Sequence, residues 1–351
     1  MRAVLMECLR VRNIVLLLLV LQTTSIVLLM RYSRTRAGVV PYLPSVAVMM
    51  AELLKLPVCI IMTLRSAGDF GTFVTLLREE VLGRPLDTVK CAVPALAYTV
   101  QGNLLFFALA ALEAPTYQVA YQSKTLFTAL FSSALLSRKL KASQWLAVVL
   151  LSVGTVLVSD LSSSGRKRDA TGLSSTLGFL AVLAAALLSA SSSVYFEKML
   201  KTPPSSDVAQ AASLWLRNIQ LGFFAAPLAA FGVFAGDRST VAQSGLLAGF
   251  DGVVWTVVVL NGVGGLLVAA TMKYADNIVK CFAAALAILT GTLLSVPLFS
   301  FRLSPLFSAG ALLTIVASVL YAWAPVLSRP SKVETETQQH IEATQRLIEK
   351  A

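Results

Sequence analysis

The chain reads as an all-α membrane protein with ten transmembrane helices, built as an inverted repeat of five helices plus five. Three observations predict this. Of 351 residues, 56% are hydrophobic and only 13% charged, with a mean hydropathy of +0.76. A soluble domain carries about 25% charged residues. Ten apolar segments recur along the chain, each close to the ~20 residues that cross a bilayer as a helix. Finally, a Ser/Gly/basic stretch at 162–175 (SSSGRKRDATGLSS) divides them into five and five. An odd number of spans per half makes the halves enter the membrane in opposite senses, which places a ligand site near the midplane between them.

The segments, in order, are Asn13–Met30, Tyr42–Leu64, Val89–Leu112, Tyr117–Leu136, Trp145–Leu161, Thr176–Tyr195, Leu214–Phe234, Val253–Met272, Asn277–Phe299 and Leu306–Trp323. The first is too long for a signal peptide, lacks a small-residue cleavage site and is followed by Arg31, Arg34 and Arg36, so it is read as a retained span. The loop Arg65–Thr88 contains LLREEVLG and is expected to form a short helix on the membrane surface. The resulting organisation is an N-terminus at 1–12, a first repeat at 13–161, a linker at 162–175, a second repeat at 176–325 and a polar tail at 326–351. An even number of spans puts both termini on one side. Loop Lys and Arg residues favour that side by about two to one, which predicts cytosolic termini and a luminal linker.

Composition also excludes function classes. The net charge is +11 and the pI near 9.7, but the basic residues lie in short loops and no Lys/Arg stripe interleaves with aromatics. A nucleic-acid partner is therefore not expected. Cys8, Cys59, Cys91 and Cys281 form no CxxC pair, and the one histidine, His340, lies in the tail. Neither a disulfide framework nor a histidine-ligated metal is expected. No GxxxxGK[ST], HExxH or GxSxG motif occurs. The reading is a non-enzymatic protein of the lipid bilayer, without cofactor or metal.

Charges inside the spans carry the functional signal. Lys124 is the only charge of Tyr117–Leu136, and a lysine at such depth costs at least ~2.5 kcal/mol on insertion scales. Lys280 opens Asn277–Phe299. The two fall early in the fourth and ninth spans, equivalent places in the two halves. Two ammonium groups facing one cavity would hold a phosphate or pyrophosphate; the plainer reading is that each snorkels to the interface. In AELLK (Ala51–Lys55), Glu52 and Lys55 share a helical face, as an internal ion pair, a ligand contact, or both. In YTVQGNL (Tyr98–Leu104), Gln101, Gly102 and Asn103 stand mid-span, with amides able to read a base or sugar edge or to glue helices together. Tyr117 and Tyr121, one turn apart with Lys124 beyond, offer a stacking surface or an interfacial belt. WLRNIQLGFF and KYADNIVK add Arg217, Asn218, Gln220, Asp276 and Asn277, with a simple Lys273–Asp276 pair as the plain alternative at the boundary.

Several long stretches resemble the Golgi nucleotide-sugar transporters of the UDP-N-acetylglucosamine, UDP-galactose and CMP-sialic acid group. They include QTTSIVLLMRYSRT, AELLK, VPALAYTVQGNLLFFAL, APTYQVAYQSKTLFTALFSS, VYFEKMLK, WLRNIQLGFF and MKYADNIVKCFAAALAILTGTLLS. The resemblance runs from about Val11 to Pro325 and is strongest to the UDP-N-acetylglucosamine branch. It implies the drug/metabolite-transporter fold and, at the Golgi membrane, exchange of a cytosolic UDP-sugar for luminal UMP without ATP. UDP-galactose is the near neighbour. A CMP-sialic acid/CMP antiporter and a gradient-driven metabolite exporter of the same fold are the alternatives. By position, the resemblance implies that Lys124 and Lys280 contact phosphate. It puts Tyr98, Gly102, Asn103, Tyr117, Tyr121, Asn218 and Asn277 in the nucleotide pocket, and Glu52, Lys55 and Gln101 toward the sugar. One departure stands out: the family's usual Gln-Asn-Asn is Gln101-Gly102-Asn103 here. A homodimer or a complex with glycosyltransferases is a further expectation.

Overall fold

The computed structural model describes residues 2–35, 42–112, 114–160, 175–202, 206–299 and 305–323, and among these the secondary structure is helical with no β-strand. The linker residues 162–174 and the tail at 326–351 lie outside the described residues. The helices are α1 (Arg2–Thr35), α2 (Pro44–Ala67), α3 (Phe70–Leu77), α4 (Pro85–Lys90), α5 (Ala92–Ala111), α6 (Ala114–Leu135), α7 (Ala142–Asp160), α8 (Ser175–Lys201), α9 (Asp207–Gly236), α10 (Arg238–Ser244), α11 (Gly252–Tyr274), α12 (Asn277–Phe299) and α13 (Pro305–Trp323). Each of the ten predicted segments coincides over most of its length with one of them, with Leu161 outside the described residues. Among the described residues, seven helices are long and apolar enough to cross a membrane: α1, α2, α8, α9, α11, α12 and α13. The remaining predicted segments fall on α5, α6 and α7.

Local sequence accounts for the helix starts. Pro44 opens α2, where its missing N–H costs nothing. Asp69, Ser206 and Asp251 accept backbone hydrogen bonds at the starts of α3, α9 and α11, satisfying N–H groups that lack a helical partner. Asp276 does the same for α12 by accepting from Val279 N–H at 2.8 Å. At its other end α2 stops at Gly68, whose φ of +84° suits glycine. The Arg65–Thr88 loop is helical as expected: α3 continues into a π-helical turn, Arg78–Leu82, and then α4. Its Asp87 carboxyl is held below the usual carboxylate range by a hydrogen bond from Lys90.

Helices α1–α7 pack extensively on helices α8–α13. α1 lies on α11 and α12, α2 on α9, both α5 and α6 on α8, and α7 on α13. Small residues allow the close approaches on which membrane helix packing rests. A Cβ at Gly154 of α7 would lie 2.7 Å from Thr314 Oγ1 and 3.0 Å from the Gly310 carbonyl of α13. A Cβ at Gly222 of α9 would lie 2.6 Å from the Leu56 side chain of α2.

Candidate binding cavity

A cavity of about 760 Å³ lies between α2, α5, α8, α9 and α11. That volume suits a small ligand. Of the residues singled out from sequence, Glu52, Lys55, Tyr98, Gly102, Asn103 and Asn218 line it. Helical spacing explains how. On α5, Ala95, Tyr98, Thr99, Gly102 and Asn103 form one face, and Gly265, Val268, Ala269 and Met272 do the same on α11. The walls are mostly apolar, with polar groups at few points.

Lys55 Nζ stands 2.6 Å from Glu52 Oε1, so the internal ion pair forms, and both residues line the cavity. The amides of Asn103 and Asn218 each donate to the carbonyl one turn back, Thr99 at 2.9 Å and Leu214 at 2.8 Å. Each amide keeps a second N–H and its oxygen for other partners. Gly102 leaves open space, since a Cβ there would meet nothing within 4 Å.

A second polar group forms between α5 and α6. Gln101 Nε2 donates to the Tyr121 hydroxyl at 3.1 Å, and Lys124 Nζ donates to the same oxygen at 3.4 Å. The Lys124 ammonium is also 5.4 Å from the Tyr121 ring centroid, within cation–π reach. Tyr117 stacks on Tyr121 with centroids 6.0 Å apart and planes inclined by 17°. Gln101 Oε1 is buried without a partner. Lys124, Lys280, Tyr117, Tyr121, Gln101 and Asn277 are not among the residues lining the 760 Å³ cavity. Among the described residues, neither Lys124 nor Lys280 forms an ion pair.

Asn277 is fully buried. Its backbone N–H donates to Glu197 Oε2 at 3.0 Å and its Nδ2 to Ser193 at 2.6 Å, while Oδ1 has no partner. It thereby joins an ion network that sequence reasoning missed. Glu197, 0% exposed, meets Arg138 at 3.2 Å and Lys201 at 2.7 Å. Arg138 also meets Asp276 at 3.0 Å. Asp276 is thus held by Arg138 from the α6–α7 turn, and Lys273 donates to Ser213 at 2.8 Å, in place of the simple Lys273–Asp276 pair. The EKMLK run does show Glu197 and Lys201 one turn apart, but nothing local points to Arg138. The network adjoins the cavity lining along the chain: Phe196 and Met272 line the cavity, and Glu197 and Asp276 follow them closely in sequence. The Ser45 hydroxyl donates to Asp237, and both residues line the cavity.

Gln220 also proves structural. Fully buried, it accepts from Arg217 at 2.9 Å and donates to the Glu80 carbonyl at 2.9 Å and to Thr88 at 3.1 Å, tying the π-helical turn to α9.

Comparisons with known proteins agree on one family. A family profile described as "Nucleotide-sugar transporter" matches residues 7–322. The human UDP-N-acetylglucosamine transporter is 44% identical over 312 residues, covering 88% of this chain and 94% of that one. The UDP-galactose translocator of Mus musculus is 41% identical over 314 residues, covering 89% and 78%. A UDP-N-acetylglucosamine/UDP-N-acetylgalactosamine transporter of Caenorhabditis elegans is 41% identical over 323 residues, covering 88% and 93%. A solved crystal structure superposes with a TM-score of 0.63 at 17% identity, covering 88% of this chain and 95% of that one, so the two share a fold.

Proposed function

This chain belongs to the nucleotide-sugar transporter family, and we propose that it exchanges a cytosolic UDP-sugar for luminal UMP across the Golgi membrane. UDP-N-acetylglucosamine is the substrate we favour, with UDP-galactose as a second. The relatives are named transporters, not enzymes, and this chain is a multi-pass membrane transporter rather than an enzyme. The observation that carries the substrate reading is the cavity itself: Tyr98, Asn103 and Asn218 line it together with the Glu52–Lys55 pair. Its polar groups are few and spaced for directional hydrogen bonds, as recognition of a base and a sugar requires. The 44% identity to UDP-N-acetylglucosamine transporters supports the choice of sugar.

In this reading Lys124 and Lys280 hold the phosphates. Tyr98, Gly102, Asn103, Tyr117, Tyr121, Asn218 and Asn277 form the nucleotide side, and Glu52, Lys55 and Gln101 the sugar side. The lack of an ion-pair partner for either lysine among the described residues supports a role in binding an anion. The ten helices form a five-plus-five inverted repeat, 13–161 and 176–325, joined by a luminal linker. The packing of α1 on α11 and α12, of α5 and α6 on α8, of α2 on α9 and of α7 on α13 supports it. Alternating access follows. The Arg138–Glu197–Asp276 network and the Ser45–Asp237 hydrogen bond, whose two residues line the cavity, are the contacts that such a change would break and remake. Both termini are cytosolic.

The test is uptake of labelled UDP-N-acetylglucosamine into proteoliposomes. Preloading with UMP is expected to accelerate it. Uptake indifferent to preloaded UMP removes the antiport, and saturable CMP-sialic acid uptake in its place removes the UDP-sugar reading.

A further inference from the structure

Lys55 lies in a notch cut by two glycines of α11. A Cβ at Gly265 would lie 3.2 Å from both Lys55 Cδ and Nζ. A Cβ at Gly262 would lie 3.6 Å from Lys55 Cγ and 3.3 Å from the Ala51 carbonyl. The lysine stem therefore runs along bare backbone of α11 and delivers its ammonium to Glu52, 2.6 Å away. Both side chains are mostly shielded, 15% and 22% exposed, yet both line the cavity together with Gly265. An ammonium has three donor hydrogens, and one serves Glu52.

We propose that Gly265 is a positioning residue for substrate recognition. By having no side chain it seats the Lys55 stem, so that cation and carboxylate stand side by side at the cavity wall with the remaining donors and acceptors left for the bound molecule. This rests on the UDP-sugar reading above. The physical argument turns on what yields. A methyl at 265 meets the far end of a flexible lysine, not backbone. The ammonium shifts and the helices stay, so the damage concentrates in the site. Gly264, its neighbour, differs: a Cβ there would lie 2.4 Å from Gln22 Nε2, which itself donates to the Leu260 carbonyl at 2.8 Å. Substitution at 264 disturbs the α1–α11 contact instead.

A double-mutant cycle with Lys55→Ala separates these roles. Transport KM for UDP-N-acetylglucosamine, thermal stabilisation by the same compound and the unliganded Tm are measured for Gly265→Ala, Gly264→Ala, Lys55→Ala and the two double variants. Gly265→Ala is expected to raise KM about tenfold, as loss of one charged hydrogen bond does, with the maximal rate retained. In the Lys55→Ala background it is expected to add nothing to any readout, because the side chain it displaces is gone. Gly264→Ala is expected to stay additive with Lys55→Ala. Additivity of Gly265→Ala, or an unchanged KM, overturns the proposal. Should Lys55→Ala abolish transport, thermal stabilisation by UDP-N-acetylglucosamine, which carries the sugar that Lys55 faces, and the unliganded Tm decide by the same criterion. An unmodified protein that binds no UDP-sugar overturns the functional reading instead, whatever the cycle gives.

Discussion

The guanidinium of Arg138 lies 3.2 Å from the carboxylate of Glu197, joining the α6–α7 turn to α8. Glu197 is 0% exposed. A carboxylate so buried is tolerable only with paired charges and hydrogen bonds, and Lys201 and the Asn277 N–H complete its shell. One cluster of charges thus fastens α8, the start of α12 and the α6–α7 turn together.

Removing Arg138 tests the fastening. Arg138→Gln leaves Asp276 without its cation and Glu197 with Lys201 alone. Breaking a buried pair on one side costs about 3 kcal/mol. Thermal unfolding in detergent is expected to show a marked fall in Tm, with Glu197→Gln/Arg138→Gln recovering part of it. An unchanged Tm for Arg138→Gln would mean that the network contributes nothing.

Lys124→Ala is expected to abolish exchange while leaving the protein folded. The residue has no ion-pair partner among the described residues, so its removal strands no opposite charge. Loss of one phosphate partner costs about 1.5–3 kcal/mol of binding. Normal uptake by this variant would reduce Lys124 to a tolerated charge.

Base selection is the next expectation: UMP stabilises the protein more than CMP or GMP does. Uracil places an N–H donor between two carbonyl acceptors, a pattern that the side-chain amides of Asn103 and Asn218 can meet. Cytosine swaps a donor for an acceptor, and an unmatched buried polar group costs about 1–3 kcal/mol. Gly102→Asn places its Cβ in open space, with nothing within 4 Å, and is expected to keep or strengthen the UMP shift. Equal shifts with CMP and UMP would point to a broader carrier.

Gly154→Val probes the packing of the halves. Its side chain would enter the space held by Thr314 and the Gly310 carbonyl. Overpacking of this kind costs about 1–3 kcal/mol, read as a lower Tm with ligand shifts retained. A variant as stable as the parent would show that α7 and α13 can separate freely.

Topology is checked by labelling. A cysteine at position 164, in a background free of other accessible thiols, is expected to be shielded from an impermeant reagent on the cytosolic face of sealed vesicles. Labelling from that face would break the orientation assigned from loop charge.

Much was legible before any coordinates. Helix existence follows from apolar runs too long to satisfy their backbone in lipid any other way, and all ten predicted segments fall on helices. The caps at Asp69, Ser206 and Asp251 are equally local. Glu52 and Lys55 pair because a helix puts residues three apart on one face, and Tyr117 stacks on Tyr121 for the same reason. What depended on tertiary structure is every relation between distant segments. Nothing within the turn that carries Arg138 reveals Glu197 and Asp276, which the fold brings from α8 and the start of α12. Asn218 and Asn277 looked alike in sequence, yet one lines the cavity and the other is fastened to Glu197 and Ser193. Periodicity tells which residues share a helical face. Only the packing of that face against another helix decides whether it meets a cavity, a partner charge or lipid.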